Sequence, residues 1–203
     1  MKRLFVIGDS ISIGYGPFLE GMLRDRFRYA RKTGLEEALK NLDRATGSNG
    51  GDSSMVLEYL HDMARGGSLE ADVVLLNCGL HDLKKNPVSG TWQVPMDDYE
   101  THLGAILREF SAAHIPVVWV RITPVDDELH RRRGCDFERF NRDVEAYNTV
   151  ADRVMDRAGI PKADLYSFTK NLGPDVFSDG VHFKEPVRAQ QAAFLAGFLS
   201  AVS

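Results

Sequence analysis

Four short runs in this 203-residue chain, Leu4 to Ile7, Val73 to Leu76, Val117 to Ile122 and Leu165 to Phe168, are apolar at nearly every position. A strand with one wet face alternates apolar and polar residues, so consecutive apolar positions belong to strands covered on both faces. The stretches between them have helical spacing instead. Tyr99, Leu103, Ile106, Leu107 and Phe110 form one stripe; Phe140, Val144, Tyr147, Val150, Ala151 and Val154 a second; Val187, Phe194, Leu195, Phe198 and Leu199 a third. Strands alternating with amphipathic helices specify an α/β protein: a parallel sheet with helices on both faces, three layers in all. Phe27 to Ala30 is more polar and is expected as an edge strand. Pro17, after Gly16, predicts the start of the first helix, with residues 8–16 as a loop.

The chain is 43% hydrophobic and 27% charged, enough to bury a core without staples, and no linker or repeat divides it. A single domain over residues 1–203 is therefore expected. A net charge of -4 and mixed signs argue against a nucleic-acid footprint. Cys78 and Cys135 are distant and Cys78 sits in an apolar run, so a disulfide framework is a poor reading. Only Leu4 to Ile7 follow the first basic residues before Gly8, too few for a signal peptide or a span. The expectation is a cytoplasmic protein without membrane association.

In a doubly wound sheet, ligands lie outside the carboxyl ends of the strands. Three polar segments fall there: Gly8-Asp9-Ser10, Gly79-Leu80-His81-Asp82 and Asp179-Gly180-Val181-His182. A serine hydroxyl attacks only when a base takes its proton, and the base works best when a carboxylate fixes its tautomer. Ser10, His182 and Asp179 fit those roles, and three-residue spacing lets Asp179 reach the His182 ring locally. A tetrahedral intermediate also needs donors. Gly50-Gly51-Asp52-Ser53-Ser54 precedes a helix marked by Val56, Leu57 and Leu60, so the Gly51 amide sits near a positive helix end. The Ser10 amide and the His81 side chain complete the candidate oxyanion hole, with Asp9 and Asp82 as supporting residues.

Taken together, these blocks resemble the SGNH hydrolases, also called GDSL esterases and lipases. Gly8-Asp9-Ser10 looks like the block bearing the family's nucleophile, Gly51-Asp52-Ser53-Ser54 its glycine block, and Asp179-Gly180-Val181-His182 its closing Asp-x-x-His. The third block is usually Gly-x-Asn-Asp, where this chain has Gly79-Leu80-His81-Asp82. The resemblance implies a flavodoxin-like sheet of about five strands in the order 2-1-3-4-5. It also implies ester hydrolysis with Ser10 as nucleophile, His182 as base, Asp179 as its orienter, and the Ser10 and Gly51 amides as oxyanion donors. His81 puts the third donor in question, because a neutral imidazole donates from one nitrogen only.

The expected substrate is a small ester, with a short acyl group, acetyl on a sugar or similar polyol; lysophospholipid or thioester hydrolysis is the alternative within the class. No metal or cofactor is expected. Two other classes stay open: a non-catalytic binding module on the same fold, and a flavin protein. The Arg131-Arg132-Arg133 run is read as a solvated loop among Asp126, Asp127, Glu128 and Asp136, against the sharper reading that it attracts an anion. Gly-x-Ser-x-Gly, the Walker loop and a complete dinucleotide fingerprint are all absent.

Overall fold

A computed structural model describes residues 1–67 and 69–202. In chain order the elements are β1 (Lys2–Ile7), α1 (Ser10–Leu23), β2 (Phe27–Arg31), α2 (Leu35–Lys40), α3 (Ser53–Gly66), β3 (Val73–Leu76), α4 (Met96–Ala112), β4 (Val117–Val120), α5 (Asp127–Arg132), α6 (Asn141–Ala158), β5 (Lys162–Ala163), α7 (Leu165–Lys170) and α8 (Glu185–Val202). The five strands pair in parallel in the order β2-β1-β3-β4-β5. That is the expected order, and β2 takes the edge its polar sequence anticipates.

From β1 the chain steps outward to β2, then crosses back past β1 to β3. With right-handed crossovers, this reversal sends α1 and the crossover helices α3, α4 and α6 to opposite faces. Helix α1 packs on α8, while α3, α4 and α6 pack on one another. The stripes of α4 are buried as their spacing requires, and the aromatic centre of the core is Trp119, Tyr99 and Tyr147, none more than 2% exposed.

Three local expectations are corrected. Helix α1 begins at Ser10, seven residues before Pro17. Asp9 caps it, its carboxylate accepting from the Ile11 amide at 2.9 Å. Pro17 lies on the exposed side, where the Ile13 carbonyl that it deprives of a donor can be hydrated. The second correction concerns Leu165 to Phe168, which is helical. The fifth strand is the two-residue Lys162–Ala163 just upstream, and Asp164 caps α7 by accepting from Ser167 N at 3.0 Å. Four apolar-leaning residues do not discriminate strand from buried helix; the cap decides. Strand β4 also stops at Val120, because the Asn148 side chain brackets Ile122, accepting from its amide and donating to its carbonyl, each at 2.9 Å.

Candidate active site

Since β1 and β3 are neighbours, the segments after their carboxyl ends share one rim, at the point where the strand order reverses. The loop between α7 and α8 reaches the same rim and brings His182 to Ser10. His182 Nε2 lies 2.9 Å from Ser10 Oγ, and His182 Nδ1 lies 2.7 Å from Asp179 Oδ2. A carboxylate on Nδ1 holds the ring proton there, which leaves Nε2 as the acceptor facing the serine hydroxyl. The other Asp179 oxygen accepts from the backbone amides of His182 at 2.8 Å and Val181 at 3.0 Å. Burial alone would raise the Asp179 pKa, but the His182 ring and these two amides outweigh it and hold the carboxyl well below its usual range.

Gly180 fixes this turn against α5. Its φ is +89°, and a Cβ there would stand 2.4 Å from the His130 backbone nitrogen. Its carbonyl also accepts from Asp126 N at 2.8 Å.

As the first residue of α1, Ser10 has no helical acceptor for its N–H. Asp9 is buried, which raises its pKa despite the Ile11 amide bond, and its Oδ2 has no partner. Gly51, at φ +74°, donates its amide to Asn49 Oδ1 at 3.0 Å. The Asn49 amide nitrogen in turn donates to the carbonyls of Leu42 and Arg44, so Asn49 ties the glycine block to the preceding loop. Asp52 caps α3, and Asp82 accepts from Ser53 N through both oxygens at 2.9 and 3.1 Å, clasping the second block to the third. Burial pushes Asp82 up to about 7 against the Ser53 bonds.

His81 is 1% exposed. Burial first, then the nearby Lys84 and Arg139 cations, push its pKa well below the usual imidazole value, so the ring is neutral at physiological pH. Its Nε2 is buried without a partner, the feature that singles the ring out from an ordinary satisfied core histidine.

The ion pairs flanking this site carry no local sequence signature. Asp43, in the loop before the glycine block, pairs with Arg133 and, at 3.3 Å, with the buried Arg139. Arg139 Nε also donates to the Leu80 carbonyl at 2.8 Å, beside His81. Arg133 reaches on to 3.6 Å from Asp179 Oδ2. Thus the arginine run divides: Arg131 and Arg132 are exposed, Arg132 pairing with Glu128, while Arg133 turns into the site. Cys78 is fully buried, where its thiol pKa is raised by desolvation, and it serves the core.

A flavodoxin-like sheet carrying a Ser–His–Asp hydrogen-bonded chain at its reversal point defines an acylhydrolase class. The chain belongs to the GDSL-like Lipase/Acylhydrolase family, whose model matches residues 6–186, and is a serine ester hydrolase of that family. Its fold is similar to that of the lipase/acylhydrolase from Enterococcus faecalis, with 15% identity and a TM-score of 0.71 over 99% of this chain and 96% of that one. The acetyl xylan esterase AlAXEase gives 17% identity and a TM-score of 0.70 over 99% of this chain and 100% of that one. A GDSL-like lipase from Bacteroides thetaiotaomicron gives 16% and 0.70 over 100% and 89%. At such identities the likeness is one of fold. No curated protein matches the sequence. Among the described residues, no helix is long and apolar enough to cross a membrane.

Proposed function

We propose that Ser10, His182 and Asp179 hydrolyse a small ester through an acyl-enzyme. The observation that carries this is the unbroken chain from Ser10 Oγ to His182 Nε2 at 2.9 Å and from His182 Nδ1 to Asp179 at 2.7 Å. Ser10 Oγ attacks the ester carbonyl as its proton passes to His182 Nε2, forming the tetrahedral oxyanion. The bond to the alcohol then breaks, and His182 returns that proton to the departing oxygen. Water repeats the sequence on the acyl-enzyme, releasing the acid and freeing Ser10. Asp179 stays ionised throughout and stabilises the imidazolium.

The Ser10 N–H, the Gly51 N–H and His81 are assigned to the oxyanion. The oxyanion is a charged acceptor and competes effectively with the neutral Asn49 oxygen for the Gly51 proton. With its one proton on Nε2, neutral His81 offers a donor that has no other acceptor and does the work usually given to asparagine in this family.

For the acyl group the proposal is a short one, acetyl on a carbohydrate or similar polyol. An acetyl xylan esterase is among the proteins of the same fold, which supports this reading. Turnover of 4-nitrophenyl esters from acetate to decanoate tests it: kcat/KM falls steadily with chain length, and a rise towards octanoate would replace the proposal with a lipase or thioesterase. Rapid-quench mass spectrometry during acetate turnover should find the acetyl group on Ser10; an acetyl group on another residue would overturn the mechanism.

A further inference from the structure

Beside the triad lies an open cavity of about 850 Å³, bordered by His81 and Arg133. Pockets that bury a drug-sized ligand span about 300–1,000 Å³, so a sugar unit or an aromatic alcohol fits with room to spare. Its lining carries Arg44, Lys84, Lys85 and Arg133 against only Asp43 and Asp136, a cationic wall in a chain whose net charge is -4. Asp43 already serves Arg133 and Arg139. Among the described residues, neither Arg44, Lys84 nor Lys85 has a carboxylate within ion-pair distance.

Lys84 is the telling case. Its ammonium donates to the Asp43 carbonyl at 2.6 Å and lies 4.5 Å from the centre of the Phe137 ring. Burial, with Arg139 next, lowers its pKa to about 8. Burial and the Arg139 cation outweigh the attraction of the Asp43, Asp136 and Asp52 carboxylates, none of them in ion-pair contact, and leave the ammonium under-compensated. The Lys85 ammonium lies 5.3 Å from the Trp92 ring centre. Cations laid against two aromatic rings make a surface for a flat or ring-shaped group that bears an anion. His81, with its unpartnered Nε2, borders the same cavity.

We infer that the alcohol half of the ester carries an anionic group, a carboxylate, phosphate or sulfate, which Lys84, Lys85 and Arg44 hold beside Trp92 and Phe137 while the carbonyl sits at Ser10. This rests on the serine-esterase reading and its short acyl group. The anion supplies the counter-charge that Lys84 and Lys85 lack, and so fixes which ester of a polyol reaches the nucleophile.

The test compares 3-(4-acetoxyphenyl)propanoate with its primary amide, an acetyl ester pair with near-identical phenol leaving groups and different charge. At low ionic strength kcat/KM favours the carboxylate by at least about tenfold, and the ratio shrinks as salt rises. In Lys84→Gln/Lys85→Gln the ratio falls towards one, with circular dichroism confirming the fold. Equal kcat/KM for the two esters overturns the inference. Calorimetry with the product pair, 3-(4-hydroxyphenyl)propanoate and its amide, asks the same question without turnover: tighter binding of the acid supports the anion site, and equal binding refutes it. If neither ester reacts and Ser10 resists a fluorophosphonate, the esterase reading fails while the product comparison still judges the cavity. Competition by benzoate, phenyl phosphate and phenyl sulfate ranks the anions; inhibition by none of them, at concentrations where a neutral phenol is equally inert, counts against the site.

Discussion

The Asp179 contacts make Asp179→Asn an unusually directed perturbation. Two backbone amides, Val181 N and His182 N, donate to the same carboxylate oxygen, Oδ1, while the other oxygen faces His182 Nδ1 at 2.7 Å. An asparagine keeps its carbonyl where those amides point, because turning the NH2 towards two donors would forfeit both bonds. Its NH2 is then forced onto Nδ1, which must accept, and the imidazole proton moves to Nε2. That places N–H against Ser10 Oγ in the position where a lone pair is needed. A serine base locked in the wrong tautomer loses about 10⁴-fold in kcat, roughly 5.5 kcal/mol. The fold should survive, since both backbone bonds remain, with a melting shift of only a few degrees. Turnover of 4-nitrophenyl acetate, corrected for folded protein by circular dichroism, measures the effect. A well-folded Asp179→Asn enzyme retaining more than about a tenth of wild-type kcat would refute the tautomer reasoning.

Three further outcomes follow from neighbouring contacts. His81→Leu should lower kcat by about 10²-fold with a small change in KM, as expected for a lost oxyanion donor, while His81→Asn retains most of the activity; a Leu variant altered only in KM would assign the ring to ground-state binding. Gly180→Ala forces a side chain into a left-handed turn and against the α5 backbone, so urea unfolding should show a loss above about 2 kcal/mol; a loss below half that value would mean the turn and helix separate freely. Asp82 titrates near 7 in the folded protein against about 3.9 when unfolded, so the folded state holds its proton more tightly. Its contribution is most favourable below pH 4 and is lost as pH rises through about 7. Asp82→Asn should therefore gain stability relative to wild type between pH 4 and pH 8, and a difference constant across that window would contradict the assignment.

Much of this is legible in the sequence itself. The apolar runs at Leu4 to Ile7, Val73 to Leu76 and from Val117 announce three central strands, because a strand covered on both faces has few polar positions to hide. Ser10, Asp179 and His182 stand out as candidates because they fall in short polar motifs, one directly after β1 and the other in the loop before α8, that a packed core does not require. What misled was local. Proline at position 17 reads as a helix start unless Asp9 is recognised as the cap, and Leu165 to Phe168 reads as a strand unless Asp164 is. The ion pairs around Asp43 had no sequence signature at all: Arg133 and Arg139 lie some 90 residues from it along the chain, and only the folded rim brings them together. For the same reason the under-compensated charge of Lys84 cannot be read from its neighbours in sequence, since Asp82 lies two residues away yet spends both oxygens on Ser53.

The central claim is that Ser10 is an activated nucleophile. Intact-mass analysis after exposure to a serine-directed fluorophosphonate, with peptide mapping and a Ser10→Ala control, tests it without knowledge of the natural substrate. The account predicts one adduct per chain, on Ser10, absent from Ser10→Ala and strongly slowed in Asp179→Asn. An unlabelled wild-type protein that also fails to hydrolyse small aryl acetates, or an adduct on a serine other than Ser10, would contradict it.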